Sequence, residues 1–335
     1  MIWIEFVASA ALIVFAATKL AQYGDVIALR TKLGGMFVGT LLLAGATSLP
    51  ELLTAINAID QNVPNLTVGN IFGSTMFNMF LLALLDLLYH RLHILRRITM
   101  MHTLSASVGV LLTGLAVFFI LAQITLKIGW LGLDSLVLIV VYIGGTRILF
   151  GGNRPGAPEQ PAPAPEIPEG TPSLTYAGIG FAVAAAALIA ITPLLVSSST
   201  QIAEETGLTT GFVGIALVAV VTSLPEVVTT ISAARIGAYD LAAGNLFGSN
   251  VFNIFALGLT DLFYTDGRFL EAVSSDMVLA GIIGLLLITL ALIGNLARNL
   301  TWGGTRRLII EIDALLILIG YALGMWLIYD RGLIG

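Results

Sequence analysis

Apolar runs of about twenty residues recur along the chain, among them IWIEFVASAALIVFAATKL at 2–20, LSASVGVLLTGLAVFFILA at 104–122 and MVLAGIIGLLLITLALIG at 277–294. A helix of that length rises about 30 Å, the thickness of a bilayer's hydrocarbon core. Membrane barrel strands are about half as long and alternate polar with apolar residues, so a barrel is excluded. Composition agrees: 57% of the 335 residues are apolar and 10% are charged, against about a quarter charged in soluble domains. The fold class expected is an all-α integral membrane protein.

Ten spans can be drawn, at about 2–22, 33–59, 66–89, 103–124, 129–149, 174–196, 208–234, 241–264, 275–297 and 310–329. An acid and no basic segment precede the first apolar run, which reads as a spanning helix and not as a cleaved signal. Residues 151–173, rich in proline, alanine and glutamate, form a linker, separating a first five-helix unit (1–150) from a second (174–335). Basic residues concentrate in cytoplasmic loops. With both termini outside, Lys19, Arg30, Lys32, Arg91, Arg96, Arg97, Arg147, Arg154, Arg235, Arg298, Arg306 and Arg307 fall inside, and only Lys127, Arg268 and Arg331 outside. The location expected is the cell membrane, with the lipid bilayer as partner. Nucleic acid is not indicated, and the sequence is silent on oligomeric state. Without cysteine there are neither disulfides nor thiolate metal sites.

Shifting the sequence by 175 residues superposes GTLLLAGATSLPELLTAI on GIALVAVVTSLPEVVTTI, and VGNIFGSTMFNMFLLALLDLLY on AGNLFGSNVFNIFALGLTDLFY. About half of the positions from 37 to 89 are identical in the two copies, whose motifs occupy 39–86 and 214–261. Five spans separate equivalent positions, so the second copy crosses the membrane in the opposite sense. The expected architecture is ten transmembrane helices in two inverted five-helix repeats.

Each copy places polar residues four apart on one helical face: Thr47 with Glu51 and Ser74 with Asn78, then Thr222 with Glu226 and Ser249 with Asn253. Pro50 and Pro225 lack an amide hydrogen. They therefore leave the carbonyls of Ala46 and Val221 without helical partners and bend both spans. Exposed backbone at that depth is tolerated only where it lines protein or a wet cavity, so the breaks aim oxygen atoms at a common centre, with the hydroxyls of Thr47, Ser48, Thr222 and Ser223. An ionised glutamate at mid-membrane costs about 2.5 kcal/mol or more. No basic residue occupies a matching depth, which leaves protonation or a bound cation as the compensation.

Carboxylate, amide, hydroxyl and carbonyl oxygens, without histidine or cysteine, suit the hard cations Na⁺ and Ca²⁺. Two carboxylates balance one divalent ion and also accept monovalent ions or protons in its place, which sets up competition at one site. Gly69 and Gly73, with Gly244 and Gly248, read as close-packing positions. Asn70 and Asn245 fit interhelical hydrogen bonding or coordination equally. Asp86, Asp261, Asp134 and Asp313 are expected near the interfaces, and His90, His93 and His102 in a solvated basic loop. A membrane hydrolase would need a nucleophile with a base or a metal dyad, which this pattern lacks. The chain is therefore read as a non-enzyme, and no cofactor is expected.

The pattern TSLPE, then GN(I/L)FGS, then FN, present twice, strongly resembles the two α-repeats of the sodium/calcium exchanger family, within the cation/Ca²⁺ antiporter superfamily. The resemblance places the central glutamates on Glu51 and Glu226. It places hydroxyl ligands on Thr47, Ser48, Thr222, Ser223, Ser74 and Ser249, and carbonyl ligands on Ala44 and Ala219, with Asn78 and Asn253 completing the set. It implies secondary active exchange of Na⁺ for Ca²⁺ by alternating access, with spans one and six sliding over the rest. The short linker resembles that of compact prokaryotic members. Many members carry Asp where this chain has Asn253, and Asn where it has Thr75, so the coupling ion stays open among Na⁺, H⁺ and a K⁺-dependent mode. The alternative reading is an antiporter of H⁺ against Ca²⁺ or another divalent such as Mg²⁺.

Overall fold

A computed structural model describes residues 1–31, 44–88, 100–150, 167, 170–265, 267–299 and 306–332. Most of the linker, the start of the second expected span, His90 and His93 lie outside these residues. The helices are α1 (Ile2–Thr31), α2 (Leu49–Asp60), α3 (Pro64–Leu88), α4 (Met100–Ala122), α5 (Leu133–Phe150) and α6 (Leu174–Thr206). After them come α7 (Thr210–Thr222), α8 (Leu224–Arg235), α9 (Tyr239–Thr260), α10 (Met277–Asn299) and α11 (Arg306–Gly332). Among the described residues, six helices are each long and apolar enough to cross a membrane, and the bent pair α7–α8 makes a seventh candidate.

Local sequence explains the ends. Ser173 caps α6 by accepting the Tyr176 amide hydrogen at 3.2 Å, and Gly207 closes it in the left-handed region at φ 72°. Thr209 then caps α7 by accepting from the Phe212 amide. Between α4 and α5, where a loop and an earlier helix start were expected, β1 (Lys127–Ile128) and β2 (Leu131–Gly132) form a small antiparallel hairpin. Both α1 and α6 run between two and three turns past their expected ends at 22 and 196. Apolar patterning marks the hydrocarbon layer, and the helices continue into the polar layer beyond it.

Helices α1 and α6 pack antiparallel. The Arg30 guanidinium at the end of α1 donates to the carbonyls of Thr171 and Pro172 just before α6, and Tyr23 meets Tyr176 edge to face. Their facing stripes, Ile13, Ala17 and Leu20 against Leu188, Leu195 and Ile202, form an apolar cluster that also takes in the near faces of α2 and α7. The larger cluster joins α3, α4, α9, α10 and α11 around Phe72, Met76, Phe247 and Leu287. The outer faces stay apolar, with Phe15, Val183, Leu316 and Leu323 each about half exposed or more. Such a surface suits lipid and not water.

One expectation about charged groups is corrected. His102 does not sit in a solvated loop. It lies in the first turn of α4, mostly buried, with Nε2 3.2 Å from Asp240 Oδ1 on α9. Asp134 and Asp261, at the start of α5 and the end of α9, are buried against protein, at 1% and 0% exposure. Asp261 accepts the amide hydrogens of Gly132 at 2.7 Å and Phe269 at 2.8 Å, tying the β-hairpin to the segment before α10. Arg268 lies 3.7 Å from Asp134 and 2.9 Å from Glu271, so this cluster carries its own counter-charge. Asp86 is likewise buried in the last turns of α3, and Asp313 is half-buried on α11.

Candidate cation site

The two TSLPE segments meet. In the second copy a π turn (Gly214–Val218) and Ala219–Thr222 lead to Ser223 (φ −89°, ψ 3°), after which α8 restarts with Pro225 in its first turn. The axis turns by 43°. In the first copy residues 44–47 are helical and stop at Ser48 (φ −89°, ψ 8°), with Pro50 in the first turn of α2. The near-identical dihedrals follow from the same SLP sequence. Each break is closed by one amide: Ser48 N donates to the Ala44 carbonyl, and Ser223 N to the Ala219 carbonyl, both at 3.0 Å. Glu51 and Glu226 thereby fall in the first turns of α2 and α8, where the helix dipole favours negative charge.

The hydroxyls cross between copies. Ser48 Oγ donates to Glu226 Oε1 at 3.0 Å, and Ser223 Oγ to Glu51 Oε1 at 3.1 Å. Ser249 Oγ adds a second donor to Glu226 Oε1 at 3.3 Å, whereas its counterpart Ser74 Oγ faces the Ala219 carbonyl at 3.5 Å. Both glutamates are 0% exposed, and the other oxygen of each, Oε2, has no partner. Among the described residues no ion pair includes either glutamate. Two buried carboxylates with half their oxygens unused are short of positive charge.

The threonines and asparagines are also exchanged across the copies. Thr222 Oγ1 donates to Asn70 Oδ1 at 3.0 Å, and Thr47 Oγ1 to Asn245 Oδ1 at 3.3 Å. This favours the interhelical reading of Asn70 and Asn245: they hold the threonine hydroxyls in place, and Asn245 is itself anchored on Thr229 and Thr230. The Ala44 and Ala219 carbonyls already accept helical amides and also face threonine hydroxyls, at 3.1 Å for Thr47 and 3.4 Å for Thr222. Asn78 Nδ2 donates to Asn250 Oδ1 at 2.9 Å. Asn253, 1% exposed, has neither amide atom partnered. Asn250 was not singled out from sequence as a site residue, because its counterpart is Thr75 and the symmetry that exposed the other positions is broken there.

Glycines bring the helices to this distance. A Cβ at Gly69 would collide with the Gly211 carbonyl, and one at Gly73 would stand 2.7 Å from Ile215 Cα and from Ala219 Cβ. Gly248 faces Ala44 in the same way, with 2.9 Å between the added Cβ and the alanine methyl. Packing is thus the role of Gly69, Gly73 and Gly248. Among the described residues no group of three or more His, Cys, Asp or Glu is placed to hold a metal ion. The donor set is two carboxylates within neutral oxygens, which fits hard cations and gives soft metals nothing to prefer.

The profile of the family described as "Sodium/calcium exchanger protein" matches residues 1–151 and 176–329. The putative antiporter CaxA of Alkalimonas amylolytica is 29% identical over 294 residues, covering 86% of this chain and 89% of that protein. The sodium/calcium exchanger MaX1 of Methanosarcina acetivorans is 49% identical over an 80-residue stretch, 24% of this chain and 23% of its own. The crystal structure of the H⁺/Ca²⁺ exchanger CAX superposes with a TM-score of 0.67 at 13% identity, over 98% of this chain and 90% of that one. The profile match spans both halves of the molecule and takes in both TSLPE segments, and the chain belongs to the sodium/calcium exchanger protein family of cation antiporters.

Proposed function

We propose that this protein is a Na⁺/Ca²⁺ antiporter of the cell membrane. Its ten spans form two inverted five-helix repeats joined by the 151–173 linker, both termini lie outside, and exchange occurs by alternating access at the Glu51/Glu226 site. The observation that carries the reading is the reciprocal pair of hydrogen bonds, Ser48 to Glu226 and Ser223 to Glu51, around two buried and uncompensated carboxylates. Such a site holds Ca²⁺ or monovalent cations in turn, never both at full charge. The separate α1–α6 cluster supports the assignment of these helices as the sliding pair. Thr47, Ser48, Thr222, Ser223, Ser74, Ser249, Asn78, Asn253 and the Ala44 and Ala219 carbonyls are the neutral ligands. The name of the Methanosarcina relative supports Na⁺ as the coupling ion.

The test is ion replacement with purified protein in liposomes. Vesicles loaded with Na⁺ should take up ⁴⁵Ca²⁺ when diluted into Na⁺-free medium, and uptake should collapse when Na⁺ is equal on both sides. A second reading, proton coupling, is favoured by the free Oε2 atoms of the glutamates, either of which could carry a proton. Uptake driven by a pH gradient at equal Na⁺ would replace the first reading with the second. No uptake under either gradient would end both.

Ser48→Ala and Ser223→Ala should each raise the Ca²⁺ concentration for half-maximal uptake about tenfold, the usual effect of losing one hydrogen bond or ligand to a charged group. The two effects should be similar, since the bonds differ by only 0.1 Å. A large effect from one serine and none from the other would contradict a shared site.

A further inference from the structure

The α1–α6 pair covers the two copies unequally. On α2 the face carrying Leu53, Asn57 and Gln61 lies against α6: Asn57 Nδ2 donates to Thr192 Oγ1 at 3.3 Å, and Gln61 Nε2 to the Pro193 carbonyl at 3.2 Å. The Thr192 hydroxyl spends its own proton on the Leu188 carbonyl at 2.6 Å, which leaves a lone pair for Asn57. The equivalent face of α8 is open. Val228 is 41% exposed and Ile236 79%, and among the described residues Ser232 bonds only the Val228 carbonyl of its own helix. One turn nearer the glutamates, Thr54 is 0% exposed, whereas its counterpart Thr229 is partly exposed. The pair also stands off centre. A Cβ at Gly24 of α1 would lie 3.7 Å from Ala46, beside the first break, and 3.7 Å from Phe181 of α6, the counterpart of Phe6 in the first copy. A pair centred on the breaks would instead present equivalent positions there, midway between 6 and 24. Helices α1 and α6 are therefore displaced by about nine residues, roughly 13 Å, toward the end of the molecule where α2 meets α3.

We infer that this is the state sealed at the α2–α3 end and open at the opposite end, and that Asn57 and Gln61 are a clasp holding α6 in it. The inference rests on the alternating-access reading above, in which the sealed end faces outside. For access to change ends the pair must slide back past the site, and both clasp bonds must break for it to do so. By symmetry α1 would then close on α8. There Ser232 and Ile236 would meet Ala17 and Thr18, the counterparts of Thr192 and Pro193. The alanine side chain accepts nothing from Ser232, and isoleucine has nothing to donate, so neither bond is reproduced. The inverted repeats thus close unequally, and the clasp weights the cycle toward the state seen here.

The chain has no cysteine, so a single introduced thiol reports its own surroundings. Thr54→Cys and Ser232→Cys are made separately and placed in nanodiscs, whose two faces both meet buffer. Reaction with a charged, water-soluble maleimide is then timed without Na⁺ or Ca²⁺. The thiol at position 232 should react severalfold faster than the thiol at position 54. Adding Asn57→Leu and Gln61→Met nearly keeps the volume and removes both donors. Labelling at position 54 should then speed up about tenfold, the usual effect of losing two hydrogen bonds on a two-state balance. Equal rates at the two positions in the clasped protein, or a rate at position 54 that the clasp substitutions leave unchanged, would overturn the proposal. Should the doubly substituted clasp fail to fold, Thr192→Val removes one acceptor at nearly constant shape and should speed labelling at position 54 severalfold, with no change again overturning it. These rates test the clasp whichever ion is exchanged, whereas absence of Na⁺-driven ⁴⁵Ca²⁺ uptake would remove the coupling-ion reading and leave them standing.

Discussion

Glu51→Gln or Glu226→Gln alone should bring Na⁺-driven ⁴⁵Ca²⁺ uptake down to the level of protein-free liposomes. Each glutamate is fully buried, each donates half of the site's negative charge, and each accepts a serine hydroxyl from the opposite copy. Removing one partner from a buried charge pairing costs about 3–5 kcal/mol, which is roughly a hundred- to several-thousand-fold in affinity. The serine hydroxyl survives the change, because the glutamine carbonyl still accepts from it. The loss is therefore one of charge, not of packing.

The same argument gives a result with an opposite sign. In cation-free buffer the unsubstituted protein holds two buried carboxylates that pair with no base among the described residues, and either Gln variant relieves part of that cost. Its thermal midpoint in detergent should therefore lie above that of the unsubstituted protein without Ca²⁺. Saturating Ca²⁺ should reverse the order, because a ligand stabilises only the form that binds it. Uptake that survives within a few-fold in either variant, or a variant stabilised by Ca²⁺ as strongly as its parent, would sink the assignment of both glutamates to the site.

The candidate site was legible in the sequence because its motif is written twice. A lone TSLPE reads as a kinked helix. Two copies 175 residues apart, each with an acid at the break, point to one centre, and the crossed serine–glutamate bonds are consistent with that. Symmetry also marks where reading stopped. Thr75 and Asn250 differ, so the Asn78–Asn250 bond had no second copy to reveal it. Apolar periodicity tells which face of a helix is buried and nothing of which distant residue it meets. His102 with Asp240, and Asp261 with the amides of Gly132 and Phe269, are such long-range meetings, and both were read as peripheral. The extra turns of α1 and α6 escaped for another reason: hydropathy reports the width of the lipid layer, while hydrogen bonding decides where a helix ends.

Moving a single methyl across the interfaces between copies should separate the two glycine contacts. Among the described residues Gly248 meets only the Ala44 methyl within 4 Å, so Gly248→Ala forces two methyl groups to 2.9 Å and should lower stability by about 1–3 kcal/mol, the usual cost of overpacking. Combining it with Ala44→Gly returns the same volume from the other side, and the double variant should recover most of the lost stability and of the Ca²⁺ uptake. Gly73 differs in kind. Its added Cβ would meet the Ala219 methyl at 2.7 Å and also the backbone of Ile215, at 2.7 Å from Cα and 2.9 Å from the carbonyl oxygen. Backbone cannot be trimmed, so Ala219→Gly should not rescue Gly73→Ala. The π turn that contains Ile215 would have to move, carrying Ala219, Ser223 and the bond to Glu51 with it. Gly73→Ala should therefore cost stability and, in addition, weaken Ca²⁺ uptake beyond what partial unfolding explains, measured per folded molecule by size exclusion before reconstitution. Rescue of both glycine variants by their alanine partners would mean that the π turn yields freely, and that the second-copy break is not held in register by its seat on α3.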